Sequence, residues 1–428
     1  MFRKKLRPYQ AEAFQRALPL GGFGLFGEQR TGKTPIASAL IDAWKPDRLL
    51  IVTVPKGIVV WEKEFRESLE FDWPCEVRII HYPSLRNRKE VRKLYRWLEQ
   101  GERSMTVADE AHALKRRSSK QSKTVRNFGK RSLYRLALTG TPIAQGIHDA
   151  WALFNFIRPS AFGTWEAFER RYLKKGGFRG KQIIGHKNLK RFNTIFHRYS
   201  HRITLREARA QAGKKGLISR KTIRWIDLGP KARRIYDELD REMYSIINDE
   251  DEVTATLVIT QAVKMHQLCG GFVIADSGTV RPVGREKLNE LEKLCKTELA
   301  GKRYVVVARY VHEIRAIRRL IERLGRTTQV IAGGTTFSGQ LDADVGILQI
   351  ASGSAIDLAA ADSIIFFSWD YSYINLDQTK FRVLSFDTDR VTYYWLMVRN
   401  SIDETIYKAG TSKENLATLL LDTYRKRR

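Results

Sequence analysis

Residues 23–44 run FGLFGEQRTGKTPIASALIDAW, a short apolar run, a loop bounded by glycines and a helix-forming segment. The loop Gly27-Glu28-Gln29-Arg30-Thr31-Gly32-Lys33-Thr34 matches the phosphate-binding pattern G-x-x-x-x-G-K-T in full. Its glycines let backbone N–H groups curl around phosphate oxygens, Lys33 reaches the β and γ phosphates, and the Thr34 hydroxyl suits Mg²⁺. The setting also fits, because a helix that starts directly after such a loop offers its unpaired N–H groups to an anion. Residues 27–34 therefore predict an ATP-binding strand–loop–helix unit.

Such a site needs a carboxylate from the end of a neighbouring strand, and Met105-Thr106-Val107-Ala108-Asp109-Glu110-Ala111-His112 supplies two. Asp109 closes an apolar run and can orient Mg²⁺ through its water shell, while Glu110 is placed to polarise an attacking water. Three other positions carry two readings each. Gln10 in LRPYQ can present its amide to the adenine edge or act as a polar cap. His112 can couple the nucleotide to a neighbouring domain or finish the turn, and Thr139-Gly140-Thr141-Pro142 is either turn chemistry or a relay of nucleotide state.

Working outward, residues 10–150 alternate helix-like stretches with short apolar runs at 49–55, 77–82, 104–110 and 133–140, the pattern of a mostly parallel sheet covered on both faces. Between about 151 and 285 the strands fade. Helical patterning is expected from Ala232 to Ile247 and from Thr254 to Leu268, and a basic stretch with four glycines spans Lys174 to Lys190. A second α/β pattern opens near Lys287, with expected strands at 303–308, 328–333, 345–350 and 363–368 and a closing helical region from Ile402 to Tyr424. The expectation is α/β, with two parallel-sheet domains at 1–155 and 286–428 and a helical insertion or bridge at 156–285.

The chain has 428 residues, too many for one ordinary core, with 76 Lys and Arg against 47 Asp and Glu, a formal charge of +29. That surplus repels itself, so a polyanionic partner is expected to neutralise it. No segment reaches the roughly 18 uncharged apolar residues of a spanning helix, so no membrane partner is expected. Three widely separated cysteines, Cys75, Cys269 and Cys295, form neither a disulfide framework nor a metal-ligand pattern. The amino terminus carries no signal-peptide pattern, and the chain reads as intracellular.

LRPYQ, GEQRTGKT, DEAH and LTGTP resemble, in order, motifs of helicase superfamily 2, and in particular of the Swi/Snf-type translocase family. IVTVPKGIVVWEKEF at 51–65, IRPSAFGTWEAFERRY at 157–172, HRITLREA at 201–208, AVKMHQLCGG at 262–271, KLNELEKL at 287–294 and SIDETIYKA at 401–409 are similar to further family segments, so the resemblance covers nearly the whole chain. It implies two RecA-like domains that close on ATP and walk along duplex DNA, usually without separating strands. ASGSAIDL at 351–358 resembles the motif that touches DNA and nucleotide, with Ala355 where glycine is usual. Gln378 and Arg382 resemble the start of the last motor motif, Q-x-x-x-R-x-x-R, but Ser385 stands where its second arginine is usual. An arginine finger is worth several powers of ten in rate. Either Arg382 or a shifted residue such as Arg390 takes the role, or hydrolysis is slow, or it depends on a partner.

A motor on a backbone needs cations that hold phosphates without reading bases. Lys56, Arg116, Lys181 and Ser352 are the candidate DNA contacts. The resemblance implies a DNA-dependent ATPase using ATP and Mg²⁺ and double-stranded DNA as track. The other readings are a strand-separating helicase and a nucleotide-gated DNA-binding scaffold with weak or partner-dependent hydrolysis. The abbreviated segment from Gly333 to Val345 suggests a compact bacterial or phage form, in the cytoplasm of a bacterial cell or phage-infected host, with the nucleus as the compartment only for a eukaryotic source. A protein partner could supply targeting, nuclease activity or activation, and nothing in the sequence identifies it.

Overall fold

The computed structural model describes residues 1–55, 57–143, 146–176, 182–214, 216–248, 251–254, 258–332, 341–350, 358–370 and 372–412. The chain divides into two compact units, Met1–Gly216 and Leu217–Arg428. Residues 156–285 are shared between them.

In the first unit the strands are β1 (Gly22–Gly27), β2 (Arg48–Thr53), β3 (Glu76–His81), β4 (Met105–Asp109), β5 (Tyr134–Leu138) and β8 (Ser200–Ile203), with a hairpin of β6 (Leu173–Gly176) and β7 (Gln182–His186) outside the sheet. The order is β3-β2-β4-β5-β1-β8, and every pairing is parallel. Period-two alternation sorts the apolar residues of the central strands onto two faces. Phe23, Leu25, Leu49, Ile51, Val107 and Leu136 pack against the helices α1 (Pro8–Ala17), α2 (Lys33–Trp44) and α3 (Gly57–Ser68). Phe26, Leu50, Val52, Ala108 and Ala137 face a second core dominated by Phe128, Phe154, Phe162, Phe168, Phe192 and Phe196. With both faces covered, β1 is buried at all six positions.

The chain leaves β1 and returns as β2 on the far side of β4 and β5. Ligands of open parallel sheets sit at such reversals, outside the carboxyl ends of the strands. Register puts Asp109 level with Leu138, and Leu138 level with Leu25, two residues before Gly27.

The second unit repeats the plan. It holds β9 (Ile218–Ile226), two hairpins, β10 (Tyr244–Asn248) with β11 (Asp251–Thr254) and β12 (Phe272–Ile274) with β13 (Val280–Pro282), then β14 (Tyr304–Ala308), β15 (Thr328–Ile331), β16 (Val345–Gln349), β17 (Ser363–Phe366) and β18 (Arg390–Val398). The parallel sheet is ordered β15-β16-β14-β17-β18-β9. Two parallel six-stranded sheets bear out the α/β, RecA-like expectation.

Several local expectations need correction. The stretch expected to lose its strands supplies the sixth strand of each sheet, β8 and β9. β8 is four residues long, and β9 reads ISRKTIRWI, whose three cations suit a sheet edge and disguise a strand. The helix expected to reach Ile247 spans Pro230–Glu242 and stops at Met243, which is left-handed at φ 57°. The glycine-rich basic stretch forms the β6–β7 hairpin, with 177–181 outside the described residues. The closing helix is described over Ile402–Ser412, and the rest of the expected 402–424 region lies outside.

Candidate nucleotide-binding site

Gly32 adopts φ 72°, the left-handed region glycine favours, and α2 begins at the next residue. A Cβ at Gly32 would lie 2.3 Å from Gln10 Nε2, so the loop turns tightly against α1. Gln10 braces that turn: Nε2 donates to the Thr31 and Gly32 carbonyls at 3.2 and 3.3 Å, and Oε1 accepts from Arg7 N at 2.9 Å. The Tyr9 hydroxyl donates to the Thr31 carbonyl at 2.9 Å. The structure therefore places the Gln10 amide on the loop backbone.

The N-cap residue of α2, Gly32, makes no side-chain cap hydrogen bond, so the first turn of the helix suits an anion. Lys33 Nζ donates to the carbonyls of Gly27 at 2.9 Å and Glu28 at 3.2 Å. Burial holds this ammonium below its ordinary pKa, opposed by Glu110, Asp109 and Glu28. Phosphate oxygens, as charged acceptors, would satisfy it better than neutral carbonyls. The Thr139–Pro142 turn abuts the loop, since a Cβ at Gly140 would sit 3.6 Å from Gln29 N and from the Gly27 carbonyl.

Asp109 ends β4 under tight constraint. Its Oδ2 accepts from the Thr53 hydroxyl at 2.9 Å and the Trp61 indole at 3.1 Å, its Oδ1 accepts from Glu110 N at 2.9 Å, and its carbonyl accepts from the Tyr82 hydroxyl at 2.8 Å. Burial, then repulsion from Glu110, holds its carboxyl above the usual range, with Thr53, Trp61 and Lys33 pulling the other way. Glu110 sits at φ 49°, a sparsely populated conformation for a residue with a Cβ, and its Oε2 lies 3.2 Å from His112 Nδ1. A carboxylate whose pKa a neighbouring carboxylate raises favours a cation beside it. No group of three or more His, Cys, Asp or Glu able to hold a metal occurs among the described residues. The donor set is instead a hydroxyl, one or two carboxylates and whatever oxygens a polyphosphate and water add, the hard-oxygen environment that suits Mg²⁺.

A model of the SNF2-related domain matches residues 34–270, more than half of the 428. The chain belongs to the SNF2-related family. An uncharacterised ATP-dependent helicase of Mycoplasma genitalium is 23% identical to this SNF2-family chain over 96% of it and 42% of the relative. The mouse SWI/SNF-related matrix-associated actin-dependent regulator of chromatin subfamily A member 1 is 23% identical over 97% of this chain and 43% of its own. The chain thus spans less than half the length of these relatives. Among solved structures, the Sulfolobus solfataricus SWI2/SNF2 ATPase core in complex with double-stranded DNA is similar at 19% identity, covering 95% of this chain and 91% of that one, with a TM-score of 0.44.

Within this SNF2-family chain the remaining expected residues fall in different places. Gly27, Gly32, Lys33 and Thr34 lie on the loop and the first turn of α2, and Asp109 and Glu110 lie at the end of β4. Arg382 is buried on a 3₁₀ turn, Phe381–Val383, in the second unit. Ser385 holds the turn that follows: its N and Oγ lie 2.8 and 3.0 Å from Thr388 Oγ1. Arg116 is exposed, while its neighbour Arg117 stacks 4.1 Å over Trp165. Lys56, Lys181, Ser352 and Ala355 lie outside the described residues. Sequence reading missed Tyr9, Thr53, Trp61 and Tyr82. Three of these fall in segments already singled out, LRPYQ and 51–65, but no spacing rule says that Trp61 reaches Asp109.

Proposed function

We propose that the chain is a DNA-dependent ATPase that uses ATP and Mg²⁺ to translocate along double-stranded DNA and displace or remodel protein–DNA complexes. The observation that carries this reading is the convergence of Lys33, Asp109 and Glu110 at the carboxyl ends of β1 and β4 in a member of the SNF2-related family. Mg²⁺, when bound, neutralises charge on the phosphoryl oxygens. Lys33 exchanges the Gly27 and Glu28 carbonyls for phosphate oxygens, and the N–H groups of the first turn of α2 add further donors. Thr34 and Asp109 would hold the metal, and Glu110 would orient the attacking water and accept its proton. Gln10 sets the shape of the loop from behind and is a proposed contact to the base.

Arg382 is the guanidinium we assign to the charge that develops on the transferred group, since Ser385 provides none. The formal charge of +29 supports a polyanionic track. Lys56, Arg116, Lys181 and Ser352 are its proposed contacts. A protein partner supplying targeting, nuclease activity or activation is proposed as well. Ser385 also favours a second reading, a nucleotide-gated scaffold that hydrolyses poorly.

The test is steady-state ATP hydrolysis with duplex DNA, single-stranded DNA or RNA, and with duplexes of increasing length. Stimulation by duplex that grows with length supports translocation. ATP binding without turnover on any track supports the scaffold.

A further inference from the structure

Thr53, Gly57 and Trp61 recur at intervals of four residues, and the side chains of Thr53 and Trp61 converge on one oxygen, Oδ2 of Asp109. Thr53 is the last residue of β2, one beyond the Val52–Ala108 pair that joins β2 to β4. Gly57 opens α3, and a Cβ there would lie 2.1 Å from Thr53 Oγ1, so this glycine keeps the hydroxyl free to turn toward Asp109. Trp61 follows one turn later on the same face of α3. It is fully buried in the core between helices and sheet, and its indole N–H would be costly to leave unpaired there.

A carboxylate oxygen has two lone pairs. On Oδ2 of Asp109 both are taken, by Thr53 Oγ1 at 2.9 Å and Trp61 Nε1 at 3.1 Å. On Oδ1 one is taken, by Glu110 N at 2.9 Å. The carboxylate therefore cannot rotate without breaking contacts, and among the described residues the lone pair left open is on Oδ1.

We propose that Thr53 and Trp61 are positioning residues that fix the Asp109 carboxylate so that Oδ1 alone is presented to the metal–nucleotide complex. Partners behind a metal ligand tune metal affinity while touching neither metal nor substrate. This inference rests on the ATP site proposed above and adds two residues to it.

The experiment measures binding of a fluorescent ATP analogue to the full chain, with Mg²⁺ and with EDTA, for wild type, Thr53→Val, Thr53→Ser and Trp61→Phe. Thr53→Val keeps the volume and loses the donor; Trp61→Phe keeps an aromatic ring and loses the N–H. Each is expected to reduce the gain in affinity that Mg²⁺ confers by on the order of tenfold, with metal-free binding within about twofold of wild type. Thr53→Ser retains the hydroxyl and should retain the gain. An unchanged Mg²⁺ gain in both donor-deleting variants overturns the proposal, as does a parallel loss with and without metal, which marks a merely structural role. Failure of the wild-type chain to bind the analogue with Mg²⁺ would instead overturn the ATP site itself, before any variant is compared.

Discussion

Each unit holds a lysine near carboxylates, half-buried Lys33 in the first and buried Lys287 in the second, and the two are satisfied in opposite ways. In the second unit Lys287 Nζ lies 2.7 Å from Asp403 Oδ2 and donates to the Phe367 carbonyl at 2.9 Å, with both charged side chains almost fully buried. Val398 N also donates to Asp403, and His266 packs 3.6 Å away, its pKa pushed well down by burial and by the charges of Lys287 and Arg309. That cluster is neutralised from within, and it ties the helices Val258–Cys269, Glu286–Lys296 and Ile402–Ser412 together. In the first unit Lys33 Nζ donates to the neutral carbonyls of Gly27 and Glu28 on its own loop, and Glu110 pushes up the pKa of Asp109. A closed ion pair marks architecture, whereas charges held close but not joined mark a place for a charged ligand.

The sharpest way to break this contrast is to neutralise Glu110. Glu110→Gln should lower turnover by roughly 10²–10⁴-fold, the range for loss of a general base, while ATP binding and thermal stability persist. Turnover that survives, read by steady-state hydrolysis, would remove Glu110 from the chemistry. Next in size is Lys287→Met, which strands a buried carboxylate and should cost about 3–5 kcal/mol on chemical denaturation of the second unit. A combined Lys287→Met, Asp403→Leu variant should recover much of that loss; if the double change is as costly as the two singles summed, the pair is not coupled.

The smallest effect concerns Glu313, buried beside the same cluster and held by Arg309 N, Tyr310 N and the Ser368 hydroxyl. Burial raises its pKa from 4.5 to about 7. The folded state thus keeps a proton that the unfolded chain has released, so stability declines as pH rises from about 4.5 to about 7. Glu313→Gln should flatten that part of the stability profile, measured by thermal unfolding across the window. An unaltered slope would assign it to other groups.

The first unit was far more legible in the sequence than the second. Its loop and the strand end at Asp109 combine a fixed residue pattern with the one context in which that pattern works, strand before and helix after. β8 was hidden by its length of four residues, and β9 because an exposed edge carries charge: Lys221 and Arg224 of β9 look like a solvated loop until Arg390–Val398 is seen beside them in full register. β18 itself, RVTYYWLMV, has the β-branched and aromatic content of a strand and went unnamed. The Thr53 and Trp61 contacts to Asp109 were illegible for a different reason, since they depend on the register between β2 and β4 and on how α3 crosses them. Gln10 shows the same limit: its residue type announced an amide in the site, and only the fold shows that it faces the loop backbone.

We propose that the Lys33 loop drives duplex-dependent ATP hydrolysis. The direct measurement is hydrolysis with and without duplex DNA by the wild-type chain and by Lys33→Ala. Duplex-stimulated turnover is expected in the first, none above background in the second, and retained DNA binding in both; equal turnover by the two chains would contradict that role.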